Sequence, residues 1–346
     1  MTSIALNARF YSHAPTGMQR YGMEMASRLH DVLKVLRPSN PLKGAKGHLW
    51  EQVYLPTAAG KSLLWSPNNT GPLAVAHQVC TIHDIIPIDH PEWFSSEFAG
   101  WYQWLMPKLV ARVQHIIAVS HFTKERLVER FGVKPEKISV VWNGVDSCFR
   151  PRPMREILHT KDQAGIKSPR YVLFLGSIEP RKNLGRLLTA WDRILPELPD
   201  DVELVIAGAK GAPQVFSDSG IQRIPARVNF AGYIPQDHLP ALYSGATALV
   251  YPSLYEGFGL PPLEAMACGC PVVTSNNSSL TEVVGDDAIL VDPLDEESIA
   301  DGMFRMIIRP HLREQLARSA FQRVECLSWE TSAAKTREIL LQQSNA

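Results

Sequence analysis

Short apolar, β-branched runs alternate with longer amphipathic ones almost throughout this chain, and that alternation constrains its fold more than any other feature. "SIALNA", "VLKVLR", "SLLWSP", "QVCTIHD", "HIIAVS" and "ISVVWNG" fall in the first half, and "YVLFLGS", "VELVIAG", "VNFAG", "ATALVYPS" and "PVVTS" in the second. Most are continuously apolar, as strands covered on both faces are. Helical patterns lie between many of them. Tyr21, Met25 and Leu29 recur every fourth residue, and Leu184, Leu187, Leu188, Trp191 and Leu195 share one helical face. This order predicts an α/β chain built on parallel, doubly wound sheets. A length of 346 residues favours two domains. Pro151 and Pro153 in "CFRPRPMREIL" mark the break. The expected domains are 1–150 and 151–328. Residues 329–346 read as an amphipathic helix with no strand after it, which must dock on a domain already built.

Composition narrows the function. Formal net charge is zero, yet residues 1–150 carry 16 Lys+Arg against 11 Asp+Glu, and the remainder 19 against 24. A mildly basic first half suits an anionic partner or a membrane surface, or is scattered solvated charge. Balanced charge overall and the lack of an RNA- or DNA-binding motif argue against nucleic acid. The five cysteines are odd in number and form no C-x-x-C, and the histidines form no H-x-x-x-H or H-E-x-x-H. Neither a disulfide framework nor a metal site is expected, and a reducing cytoplasm fits. The N-terminus lacks the features of a signal peptide, and no run approaches the roughly 20 apolar residues of a membrane span. The segment 91–113 is the candidate for peripheral contact with the inner membrane surface. Phe94, Phe98, Trp101, Leu105 and Leu109 fall on one helical face there, a stripe that either rests on lipid or lines a core.

In open α/β sheets ligands sit beyond the carboxyl ends of the strands, and several chemistry-bearing residues fall at such ends. In "YEGFGLPPLEAMACG", Glu256 and Glu264 are eight positions apart. Pro261 and Pro262 suit a helix start and Gly269 a helix stop. Glu264 is expected in the first helical turn, ionised and ready to accept from hydroxyl groups. Gly257 and Gly259 let the loop backbone approach a ligand. The alternative is that Glu264 only caps its helix and the glycines only make a turn. In "LGSIEPRKNL", a strand ends at Gly176, and Arg181 and Lys182 precede a helix near Asn183, well placed for a diphosphate unless they are a solvated basic turn. Gly17 in "APTGMQRYG" resembles half of a phosphate-cradling turn, but no G-x-G-x-x-G follows the first strand, which weighs against a nicotinamide enzyme. His83 and Asp84 in "TIHDIIP" stand at a strand end, where such a pair positions hydroxyls or moves protons. A lone strand-end histidine is more often structural.

These motifs together resemble the retaining GT-B glycosyltransferases of the group 1, or GT4, family, and in particular its mannosyltransferase-like branch. Glu256 to Glu264 matches the family's E-x7-E signature, "GSIEPRKN" its diphosphate loop, and "LSWETSAAKTREIL" its last helix. "TGMQRYG", "TIHDIIP", "IIAVSHFTKERL" and "VVWNGVD" are similar to its N-terminal and interdomain segments. The resemblance implies two Rossmann-like domains facing across a cleft, with the last helix crossing back to the first. It implies that Glu264 binds the donor ribose and Glu256 the donor sugar, and that the amides of Gly257, Phe258, Gly259 and Leu260 hold sugar and phosphate. Gly176, Arg181 and Lys182 would meet the diphosphate, with Gly17 approaching from the other domain. His83 would meet the sugar near its 6-hydroxyl, with Asp84 on the acceptor side. Ser177 stands where many relatives carry a further arginine, leaving more of the phosphate charge to Arg181 and Lys182.

The implied reaction moves a hexose from a nucleoside diphosphate sugar, GDP-mannose first, to a hydroxyl of a saccharide or lipid-linked acceptor in cell-surface polysaccharide synthesis. No cofactor is required, and with no D-x-D motif in the chain the protein's own cations make a divalent ion unnecessary. UDP- or dTDP-sugar donors, an epimerase or hydrolase of nucleotide sugars, and a non-catalytic nucleotide-sugar-binding protein are the alternatives. The segments 208–210 and 229–232 are candidates for meeting the base but carry no readable code.

Overall fold

The computed structural model describes residues 4–12, 17–208 and 223–345. The chain divides into two compact units, 1–144 together with 327–346, and 145–326. The division lies at 144/145 rather than 150/151 because the irregular stretch after Gly144 packs on the second unit. There Phe149 meets Tyr243 edge-on at 6.1 Å, and the Arg152 amide donates to Ser244 Oγ at 3.1 Å.

In the first unit six parallel strands stand in the order β2-β1-β3-β4-β5-β6. They are β1 Ile4–Asn7, β2 Leu33–Leu36, β3 Leu64–Ser66, β4 Gln78–Ile82, β5 His115–Ala118 and β6 Ile138–Val140. The last helix, Trp329–Ser344, completes this unit. Ser328 caps it by accepting from the Thr331 amide, and Trp329 is fully buried against Tyr21, with ring centroids 6.0 Å apart. Gly144 sits so close beneath it that any Cβ would collide with the Trp329 backbone. Arg28 reaches Glu330 and Arg337 reaches Asp31 at the rim.

The second unit also holds six parallel strands, in the order β12-β11-β10-β7-β8-β9. They are β7 Arg170–Leu175, β8 Val202–Ala207, β9 Val228–Gly232, β10 Ala248–Tyr251, β11 Val272–Ser275 and β12 Ile289–Val291. This is the doubly wound Rossmann order, whose switch point lies between the first and fourth strands of the unit, β7 and β10. Val172, Phe174, Leu204, Ile206 and Val250 pack against Leu187, Leu188 and Trp191 of the helix Leu184–Ile194 and Met303 and Met306 of the helix Glu296–Ile308.

Three sequence expectations need correction. β12 was not anticipated: it is three residues long, lies at the sheet edge and alternates, with Leu290 facing out, so it lacks the apolar run that marks an inner strand. The edge strand β9 is only half buried for the same reason. The aromatic stripe is split. The helix Ser96–Arg112 begins after Phe94, with Ser95 as its cap. Leu105 and Leu109 enter the core, while Phe98 and Trp104 remain exposed.

Candidate active site

The loop after β7 and the loop after β10 open at the switch point of the second sheet, and the two charged clusters read separately from the sequence meet there. Pro180–Lys182 forms a single 3-10 turn, and Asn183 takes a left-handed conformation (φ 61°) before the helix Leu184–Ile194. The buried Asn183 amide donates to the carbonyls of Pro252 (3.0 Å) and Pro293 (2.6 Å), and the Leu254 amide donates to the Arg181 carbonyl at 2.8 Å. These bonds bind the two loops to each other.

Across that seam Arg181 donates to Glu256 Oε2 at 2.9 Å and Lys182 to Glu256 Oε1 at 2.6 Å. The Tyr251 hydroxyl, at the end of β10, donates to Glu256 Oε1 at 2.9 Å and contacts the Lys182 ammonium, which also lies 4.7 Å from the Tyr251 ring centroid. Burial pushes the Glu256 carboxyl up, but Arg181 and Lys182 outweigh it and hold its pKa at about 2. Burial, joined by the Arg181 charge, lowers the Lys182 ammonium although Glu256 opposes this. The lowered carboxyl favours an ion pair and the lowered ammonium works against it; the geometry decides for the pair, because one carboxylate, ionised down to strongly acid pH, is shared by two cations at 2.9 and 2.6 Å. Arg181 also donates to Glu179 at 2.7 Å, and Glu179 in turn accepts from Ser177 at 2.6 Å. Two carboxylates thus hold the two cations in place.

The glycine loop is fixed from the far side. The Ser279 hydroxyl reaches the carbonyls of Glu256 (2.9 Å) and Phe258 (2.8 Å), and the Glu256 amide donates to Ser278. Gly259 has φ 106°, and a Cβ there would lie 2.8 Å from Leu280. The following helix is Leu260–Ala267, and Gly269 (φ 74°) ends it by donating its amide to Met266, as expected. Glu264 is its fifth residue, not part of its first turn, so the helix dipole has little hold on it. Burial and the Tyr243 hydroxyl, which donates to Glu264 Oε2 at 3.1 Å, position it instead. Pro261 and Pro262 have no N–H, so the first three helical positions offer only the Leu260 amide, and donors to an anion must come from the loop. Gly176 closes β7 with its amide on Ala207, beside the Lys182 stem.

Gly17, His83 and Asp84 belong to the first unit. Gly17 opens the helix Gly17–Arg28 and is exposed. His83 is buried, and its Nε2 donates to the Pro67 carbonyl at 2.8 Å. Burial lowers its pKa to about 4, so the ring is neutral, with Nδ1 as its acceptor. Asp84 Oδ1 accepts from the Ile86 amide at 3.1 Å, capping a short turn. Gly208 (φ 88°) has the Gly176 carbonyl where a Cβ would fall. Ala209 and Lys210 lie outside the described residues.

Tyr251, Tyr243, Asn183 and Ser279 were not singled out in the sequence. Nor was Glu51, buried at the switch point of the first sheet, where it accepts from Asn7 Nδ2 at 2.7 Å and Thr70 Oγ1 at 3.0 Å. Burial pushes its carboxyl up, but the nearby Arg9 charge, with His48 and the Asn7 donor, leaves it below its ordinary value. Tyr251 ends β10, but Tyr243 lies in the helix Leu239–Gly245, and isolated hydroxyl, amide or carboxylate side chains are too common in a sequence to single such residues out.

Comparison with known proteins fits this geometry. The family described as glycosyl transferases group 1 matches residues 158–323, and glycosyltransferase family 4 matches residues 55–148. The O-antigen chain mannosyltransferase B of Escherichia coli is 31% identical over 276 residues, covering 78% of this chain and 71% of that protein. The chain belongs to the group 1, family 4 glycosyltransferases. The O-antigen chain mannosyltransferase RfbU of Salmonella typhimurium is also 31% identical, over 69% of this chain but only 63% of its own length. Among solved structures, Anabaena HepE in complex with UDP and glucose superposes with a TM-score of 0.76 at 20% identity, over 99% of this chain and 100% of that one. This glycosyltransferase is therefore of the GT-B fold. Among its described residues, no helix is long and apolar enough to cross a membrane.

Proposed function

We propose that this glycosyltransferase moves mannose from GDP-mannose, with retention at the anomeric carbon, to a hydroxyl of a saccharide or lipid-linked acceptor of O-antigen type. The observation that carries the reading is the convergence of Arg181, Lys182, Glu256 and the glycine loop at the switch point of a Rossmann-ordered sheet, with Glu264 on the helix that follows. The mannosyltransferase names of its relatives favour the sugar. HepE, solved with UDP and glucose, keeps a UDP-sugar as the second reading.

In this scheme the bond from the sugar's anomeric carbon to the diphosphate breaks, and one to the acceptor oxygen forms on the same face. The acceptor proton passes to the departing diphosphate. Arg181 and Lys182 stabilise the charge that gathers on that diphosphate, as preorganised cations in a buried site do. Glu264 accepts from the ribose hydroxyls and Glu256 from the sugar's. His83, neutral, offers Nδ1 to a sugar hydroxyl, and Asp84 lies on the acceptor side. Exposed Phe98 and Trp104 are candidates for contact with the membrane that carries a lipid-linked acceptor.

Binding of GDP, UDP, dTDP and ADP, followed by transfer from the matching labelled sugar, tests this. GDP should bind tightest, and GDP-mannose should give a product of unchanged anomeric configuration by proton NMR. Glu264→Ala should weaken nucleotide binding roughly 10–100-fold, the scale of a lost hydrogen bond to a charged group. Arg181→Ala should lower kcat by about 10²–10³-fold. Wild-type behaviour in both variants refutes the site, and a tighter UDP complex replaces the donor.

A further inference from the structure

The first unit carries a cavity of about 730 Å³ that none of the expected site residues lines. It lies beyond the carboxyl ends of β1 and β2, lined by Tyr11 and Ser12 after the first strand and by residues 37–42 after the second. Its remaining wall is Trp50 and Tyr54, the two ends of one π-helical turn inside a continuous helical run from Gly44 to Ala59. Such wide turns cluster at functional sites. The Trp50 and Tyr54 rings stack at 5.9 Å with 29° between their planes, and Tyr11 and Tyr54 are 42% and 59% exposed. Three aromatic side chains, two of them exposed, around one concavity are hard to explain as packing.

The turn is held from below. Glu51, the residue after Trp50, is the buried carboxylate bonded to Asn7 and Thr70, and Arg9 Nε lies 3.4 Å from it. The aromatic wall is thereby tied to the ends of β1 and β3 and is preorganised. The polar lining is Arg37, Ser39, Asn40 and Ser12. Flat aromatic faces matched to the C–H face of a pyranose, beside a few hydroxyl-binding groups, suit a neutral sugar. A nucleotide would need more positive charge than the single Arg37, and a lipid chain would not need Arg37, Ser39 and Asn40.

We infer that the cavity bounded by Tyr11, Arg37, Asn40, Trp50 and Tyr54 binds a hexose unit of the saccharide acceptor. The inference rests on the proposed function only in taking the acceptor to be a saccharide. The test is saturation-transfer NMR on the full chain, with α-linked disaccharides ending in mannose, glucose, galactose or rhamnose as probes and GDP and UDP binding measured in parallel. At least one disaccharide should bind, and Tyr54→Ala and Tyr11→Ala, both exposed and so harmless to the fold, should weaken it about fivefold or more. Both variants should leave nucleotide binding within twofold. Absence of transfer from every disaccharide, or equal binding by the variants, overturns the inference. Sugar binding lost in the variants of a protein that binds no nucleotide would uphold the cavity and refute the donor reading instead.

Discussion

At the residue scale the site is a contest for two cations. Arg181 and Lys182 are already engaged by Glu256 and Glu179, so an arriving diphosphate competes with carboxylates for them. Glu179 is half exposed, and an exposed pair is worth at most about 1 kcal/mol. Glu179→Gln should therefore tighten nucleoside diphosphate binding, about two- to fivefold, in a calorimetric titration. No gain would mean that Glu179 does not oppose the ligand. His83 makes a different prediction. Its pKa falls from 6.5 to about 4 on burial, so the unfolded chain takes up the proton first. The first unit should keep this contribution above about pH 6.5 and lose it as the pH falls toward 4, on the order of 3 kcal/mol in all. Urea midpoints between pH 7 and 4.5 should slope less in His83→Gln; an unchanged slope rejects the buried neutral ring. Glu256, Arg181 and Lys182 were legible because charged residues in strand-end loops are conspicuous. Their pairing was not, because 74 residues separate Lys182 from Glu256.

At the element scale the glycine loop is the most constrained piece. Gly259 holds φ 106° against Leu280 at the junction of loop and helix. Gly259→Ala should lower the stability of the second unit by about 1–3 kcal/mol, through left-handed backbone strain and the clash together. Thermal unfolding with and without nucleotide measures it, and a neutral substitution would mean that the loop relaxes freely. The proline pair announced the helix correctly, since proline tolerates a first turn. It did not announce that Glu264 stands beyond that turn, held by a tyrosine from the helix Leu239–Gly245. A local pattern gives a helix's start but not which distant side chain reaches it.

At the scale of the whole molecule, the chain leaves its first unit at Gly144 and returns to it at Leu327. Trp329 is the anchor of that return, buried against Tyr21 and lying over Gly144. Trp329→Ala should cost the first unit about 3–5 kcal/mol and leave hydrogen exchange in the second unit unchanged; loss of protection in both would show that the units do not unfold separately. The sequence by itself determined the strand–helix alternation, the parallel class, the approximate break and the charged loops, because hydrophobic period and turn chemistry are local. Tertiary structure alone decided the strand orders, the short edge strand β12, the tyrosines that position the two glutamates and the cavity above β1 and β2. Each of these depends on which strand ends lie side by side, and that follows from non-local burial no window of sequence contains.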